Sequence, residues 1–151
     1  MHGAGAYLLD TNVVLHATRE NSPVSNAIDA QFHLSSSRFR PAICEVSIGE
    51  LLAFAHSTKW GDKRKARLDK QIERSLVIPI SHPGVHERWA AMSSALQAAG
   101  ITIGQNDLWI AATASVAGLT VLSTDGDFRH LVRLGLSEAI VLDSRTGVVA
   151  P

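Results

Sequence analysis

Short apolar runs alternate with longer amphipathic stretches along this chain. Residues 6–9, 40–44, 76–80, 119–122 and 139–142 are rich in Val, Ile, Leu and Ala and show little polar alternation. Runs of that length suit strands of a parallel sheet covered on both faces. Between them, apolar residues recur at helical spacing, predicting helices over 13–18, 24–35, 45–56, 59–74, 86–99, 108–118 and 128–134. Pro23 is expected to stop the first helix, Gly100 the fifth, and Ser81 and Asn106 to cap the helices that follow them. Pro41 suits the beginning of a strand, where a missing N–H is tolerated, and Pro79 weakens the 76–80 strand and suggests a sheet edge. The 108–118 segment is apolar nearly all round and should lie buried against the sheet, with Trp89 and Met92 as further core residues. The order βα(α)βααβααβαβ implies an α/β fold of three layers. Its central, mostly parallel sheet has about five strands, right-handed crossovers and helices on both faces.

Composition narrows the class without naming a partner. The 151 residues, 46% hydrophobic, suit one domain with a sizeable core and argue against disorder. No repeat, low-complexity tract or linker divides them, so 1–151 is expected to form one domain with 144–151 as a loose tail. Lys+Arg and Asp+Glu both total 14, so overall charge points neither toward nor away from nucleic acid. The charge is unevenly spread, however. Lys59, Lys63, Arg64, Lys65, Arg67, Lys70 and Arg74 crowd one predicted helix with only Asp62, Asp69 and Glu73 among them. That segment is either a solvated surface helix or a contact for phosphates, with Lys59, Lys63, Arg64 and Arg67 as the candidate contact residues. The single cysteine, Cys44, excludes a disulfide within the chain and fits a reducing compartment. No apolar stretch approaches the roughly 18 residues of a membrane span, and the N-terminus lacks a basic region followed by an apolar one. A cytoplasmic protein without membrane association is the expectation.

The acids carry the candidate chemistry. Asp10 directly follows the first strand, and Asp125 and Asp127 follow the fourth. Glu50 lies in the helix after the second strand, sharing a stripe with Val46, Ala53 and Phe54 and so pointing inward. Asp107 opens a helix that leads back to a strand. Each has a simpler reading as a helix cap or surface charge, and Asp10 taken alone reads most simply as a cap. In a parallel sheet, however, the strand carboxyl ends and the starts of the following helices share one edge, where such folds bind ligands. Asp10, Glu50, Asp107 and Asp125 then converge, and unaided they would raise one another's pKa. Hard divalent cations such as Mg²⁺ or Mn²⁺ relieve that conflict, and an all-carboxylate set argues against zinc. His82 and His86 stand at a zinc-compatible spacing but lack a third ligand nearby.

Leu9-Asp10-Thr11-Asn12, Val46-Ser47-x-x-Glu50-Leu51, Asn106-Asp107-x-x-Ile110-Ala111-Ala112 and Ser123-Thr124-Asp125-Gly126-Asp127-Phe128 resemble the four acidic motifs of PIN-domain nucleases, more narrowly the VapC-type toxins. The resemblance spans essentially the whole chain in the right order. It departs at Ser123, where the family usually has Thr, and in offering two acids in the last motif. It implies a Mg²⁺-dependent endoribonuclease, with Asp10, Glu50, Asp107 and Asp125 as catalytic, metal-holding residues and Asp10 and Asp107 principal among them. Thr11, Asn12, Ser123 and Asp127 would support these acids. It further implies an RNA substrate, a homodimer and a small antitoxin whose tail offers an Arg or Lys to the acids. A catalytically silent PIN module that binds RNA or protein is the alternative. A phosphatase with an aspartyl nucleophile commonly has a second Asp two residues on, where this chain has Asn12.

Overall fold

The computed structural model describes residues 6–36, 38 and 40–151. Its sheet is laid down in the sequence β1 (Tyr7–Leu9), β2 (Ala42–Cys44), β3 (Leu76–Ile78), β4 (Thr120–Ser123) and β5 (Ala139–Val141). Between β1 and β2 run α1 (Thr11–Ala17) and α2 (Pro23–Phe32), and between β2 and β3 run α3 (Glu45–Ser57) and α4 (Asp62–Glu73). Helices α5 (Val85–Ala98) and α6 (Gln105–Ala117) join β3 to β4, and α7 (Phe128–Arg133) joins β4 to β5. Among the described residues the strands form one parallel sheet in the order β3-β2-β1-β4-β5. The α/β architecture expected from the pattern is the one observed.

Side chains alternate across the strands and build a core on each face. Leu8, Cys44 and Val121 face α5, α6 and α7, packing with Met92, Ile110, Ala111 and Phe128. Tyr7, Leu9, Ile43 and Leu122 face the other way, onto Val13, Val14, Ile28, Leu51 and Leu68 of α1 to α4. Helix α6 is buried at Leu108, Ile110, Ala111, Ala112, Thr113 and Ala114, and closes at Gly118, whose φ of 69° is a left-handed conformation that favours glycine. Met92 is buried as expected, whereas Trp89 is only partly buried and stacks on Trp109 at 5.0 Å between ring centroids. Edge strand β3 exposes Leu76 and Val77. Among the described residues no helix is long and apolar enough to cross a membrane.

Several local expectations are corrected. Helix α1 ends before Pro23, as expected, but Pro23 itself opens α2 one residue ahead of the expected start, because its missing N–H costs nothing in a first turn. The hydroxyl of Ser22 caps that turn by accepting from Ser25 N at 3.1 Å. The N-cap positions of α5 and α6 are Gly84 and Gly104, with no side-chain cap, so neither Ser81 nor Asn106 caps them. The core face of α3 is Ser47, Leu51 and Ala55, while Phe54 is exposed and meets Trp60 edge-on. The stripe drawn through Val46, Ala53 and Phe54 was therefore one residue out of phase. The C-terminal segment is not loose. Leu142 bridges Val149 antiparallel, Ala150 N donates to Val141 O at 2.9 Å, and Gln31 Nε2 donates to Gly147 O at 2.7 Å. Gly147 has a φ of 74° and lies so close to α2 that a Cβ there would come within 2.6 Å of Val24 O.

Candidate metal centre

The centre is assembled at the carboxyl edge of β1 and β4. Pairing of Leu9 with Leu122 places Asp10 and Ser123 side by side. Asp10 N donates to Leu122 O at 3.0 Å, extending the sheet by one bond as the chain turns into α1. Asp10 is 3% exposed, and among the described residues its carboxylate accepts two hydrogen bonds from its own turn and one from β4. Oδ1 accepts from Thr11 N at 2.7 Å, capping α1, while Oδ2 accepts from Ser123 Oγ at 2.6 Å and Asn12 Nδ2 at 3.1 Å. Capping and membership of the acidic edge are therefore compatible. Burial pushes the Asp10 carboxyl up to about 6; hydrogen bonds from Ser123 and Thr11 hold it down in part, and the charges of Glu50 and Asp125 raise it further.

Thr11 and Asn12 join this turn to its neighbours. The Thr11 hydroxyl donates to Glu50 Oε1 at 2.7 Å and lies 3.0 Å from Ser47 Oγ, fixing half-buried Glu50 at the rim of the α3 core face. Asn12 Oδ1 accepts from Thr124 N at 3.1 Å, tying α1 to the loop after β4. Within that loop Ser123 Oγ accepts from Asp125 N at 2.9 Å, and Asp125 Oδ1 accepts from Asp127 N at 2.9 Å. One buried hydroxyl, Ser123, thus orients both Asp10 and Asp125. Ser47 is a supporting residue that the sequence reading did not single out; its signal was a small hydroxyl three residues before Glu50.

Asp107 approaches from α6. Burial pushes its carboxyl up to about 7, and the charges of Asp10, Asp125, Glu50 and Asp127 add to the rise, in that order. All five acids therefore share one electrostatic neighbourhood. Carboxylate oxygens of Asp107, Asp125 and Asp127 lie within 4.8 Å of one another. Two oxygens on one Mg²⁺, each at about 2.1 Å, stand at most about 4.2 Å apart, so small side-chain rotations would bring these three into one coordination sphere. The all-oxygen donors suit a hard divalent cation. Asp127 joins the tight group, whereas Asp10 and Glu50 border it.

The basic segment is only partly helical, because Lys59 precedes α4 in a left-handed turn with φ 52°, and it divides into two parts. Lys59 and Lys63 are exposed. Arg64 and Arg67 turn toward α1, donating through Nε to Thr18 Oγ1 at 3.1 Å and Thr18 O at 2.7 Å, with the Arg64 guanidinium 3.7 Å above the Trp60 ring. His86 packs edge-on against Trp109.

Comparison with known proteins agrees with this architecture. Ribonuclease VapC4 of Mycobacterium tuberculosis (strain ATCC 25618 / H37Rv) is 46% identical over 44 residues, which are 29% of this chain and 34% of that protein. The match thus spans about a third of that relative's length. The structure of VapBC2 from Rickettsia felis, bound to a DNA fragment from its promoter, superimposes with a TM-score of 0.74 at 22% identity, covering 91% of this chain and 99% of the other. VapBC-1 from nontypeable Haemophilus influenzae gives 0.72 at 20% identity over 90% and 97%. The family model for the PIN domain matches residues 7–134, which include β1 through α7 and all five acids. The chain belongs to the PIN-domain family.

Proposed function

We propose that this protein is a cytoplasmic, divalent-metal-dependent endoribonuclease, the toxin half of a VapBC-type toxin–antitoxin pair. The observation that carries the reading is the convergence of Asp10, Glu50, Asp107, Asp125 and Asp127 on one sheet edge, with two of their carboxyls pushed up into the range 6 to 7. A site built to leave five carboxylates uncompensated would be costly to the fold, and cation binding offsets that cost. In this reading Asp10 and Asp107 are the principal residues that would hold Mg²⁺, for which Mn²⁺ can substitute, Glu50 and Asp125 complete the set directly or through waters, and Asp127 supports it. Bound there, the cation supplies positive charge to a scissile phosphate and acidifies water.

The chain's own groups do the remaining work. Ser123, Asn12 and Thr11 keep Asp10, Asp125 and Glu50 in fixed orientations, so little reorganisation accompanies reaction. Water attacks phosphorus in line and gives its proton to a carboxylate; the P–O3′ bond breaks with its electron pair on O3′, which takes a proton from solvent water, leaving a 5′-phosphate and a 3′-hydroxyl. A small antitoxin partner accompanies this assignment, supported by the VapBC complexes among the structural neighbours, and a homodimer belongs to the same proposal. The complete acid set disfavours a silent binding module, in which these carboxylates could be lost freely.

The test is RNA cleavage by the purified protein with Mg²⁺ or Mn²⁺. We expect 5′-phosphorylated fragments, and no cleavage in EDTA or in Asp10→Asn. Cleavage that persists unchanged in that variant, or no turnover of cellular RNA with either metal, would overturn the assignment.

A further inference from the structure

We infer that the corner where α1 ends against α4 is a phosphate-binding site, in which Arg19, Arg64 and Arg67 hold the RNA backbone beside the scissile bond; the inference rests on the ribonuclease reading. Three observations converge on it. First, Arg64 and Arg67 both bond Thr18 through Nε, and the charge of Arg19, the next residue, is felt by Arg64, so three cationic side chains share this corner. Among the described residues none of the three forms an ion pair or a hydrogen bond with an acid. The carboxyl end of α1 supplies only about half a negative charge, which leaves the corner strongly positive. Burial and the charges of Arg19 and Arg67 lower the pKa of Arg64, the expected sign for crowded cations awaiting an anion.

Second, the donors suited to a phosphate remain uncommitted. Because Arg67 spends only Nε on Thr18, its two terminal nitrogens make no hydrogen bond among the described residues, and neither does the side chain of Arg19. A guanidinium fork with free terminal nitrogens matches phosphate oxygens in pairs. Third, the corner continues a stripe and lies one short helix away from the acidic edge. Lys63, Arg67, Lys70 and Arg74 fall at i, i+4, i+7 and i+11, one face of α4, while Asp62, Asp69 and Glu73 take another face. Helix α1 runs from Asp10 to Thr18, about 10 Å for its seven residues. The nucleotides flanking a bond held at the acids can span that distance. A carboxylate of a protein partner would use the same donors. RNA is favoured because the strand proposed for the acidic edge brings a phosphate at each nucleotide.

The test is equilibrium binding of a labelled single-stranded oligoribonucleotide to the full-length protein in the Asp10→Asn background, as a function of salt. Losing one phosphate contact on a single strand reduces the slope of log K against log[salt] by about 0.7, or about five-fold in affinity at 0.1 M salt. We expect that loss in Arg19→Gln, with an unchanged melting temperature because the Arg19 side chain is exposed and makes no hydrogen bond among the described residues. Arg19→Lys should restore the slope. Arg67→Gln should show the same slope change, together with some loss of stability. Unchanged affinity and slope in both glutamine variants would overturn the site. Unchanged RNA affinity with a loss of polyglutamate binding would also overturn it, assigning the corner to a protein partner. If Asp10-dependent cleavage is present but these variants bind RNA normally, this inference alone fails. If the unsubstituted chain neither cleaves nor binds RNA, the functional reading fails with it.

Discussion

Replacing Asp10 by Asn should stabilise the metal-free protein at pH 8 and flatten its pH dependence. The Asp10 carboxyl is raised from 3.8 to about 6 in the fold. A group with a raised folded pKa contributes stability that is fully present below its unfolded pKa and is lost as pH rises through the folded value. Two units correspond to about 3 kcal/mol, which the ionised carboxylate costs the fold above pH 7. Asn removes that cost but cannot accept every hydrogen bond. The N–H of Thr11 and the donors Ser123 and Asn12 surround the carboxylate, so one contact is lost, at about 1–2 kcal/mol. The net gain at pH 8 in EDTA is about 1–2 kcal/mol, a rise of about 2–8 °C in Tm at this chain length. The difference between variant and parent should grow between pH 4 and 7, because only the parent carries the titrating carboxyl. Asp107 responds as well: loss of the Asp10 charge, which follows burial among the causes of its rise, draws its carboxyl back down from about 7. Mg²⁺ should reverse the order by stabilising the parent more. Calorimetric melts from pH 4 to 8.5, with EDTA and then Mg²⁺, measure all of this. A stability difference that is constant across that pH range would refute the account of Asp10 as a buried, electrostatically strained acid.

Three further predictions address the surrounding shell. Thr11→Val keeps the shape but removes the 2.7 Å hydrogen bond to Glu50, so cleavage should fall about ten-fold, mainly in kcat, at a stability cost of about 1–2 kcal/mol; steady-state kinetics and a melt check both. Gly104→Ala places a Cβ 3.2 Å from Asp107 Oδ2, so the carboxylate must shift by a few tenths of an ångström and Mn²⁺ affinity measured by calorimetry should fall several-fold. Gly147→Ala meets both an unfavourable φ of 74° and the Val24 carbonyl, and should lower stability by about 1–3 kcal/mol, with faster amide exchange in the C-terminal segment and unchanged Mn²⁺ affinity.

Where the sequence reading missed, long-range geometry outvoted a local signal. Pro23 is a helix breaker only in an interior; after Ser22 it becomes a favourable first residue. Phase errors at α3 arose because Phe54 finds a partner in Trp60 and does not need the core. The segment after Asp143 has loop composition, yet Gln31 and the exposed side of β5 give its backbone groups partners that composition cannot reveal.

Local chemistry alone determined the strand and helix alternation, the parallel α/β class and the placing of acids after strands or at helix starts. Those properties follow from side-chain period and chain order, both of which are local. The tertiary structure decided which groups act together. Asp10 acquires the Ser123 hydroxyl from 113 residues away because β1 pairs with β4 in one register, and a slip of one residue would point Ser123 to the opposite face. Asp127 joins Asp107 and Asp125 because its loop folds over Ser123 and Asp125. Arg64 and Arg67, indistinguishable in sequence from the lysines around them, are turned toward Thr18 because α4 packs against the end of α1. Each depends on distances between residues remote in sequence, and those distances exist only once the layers have packed.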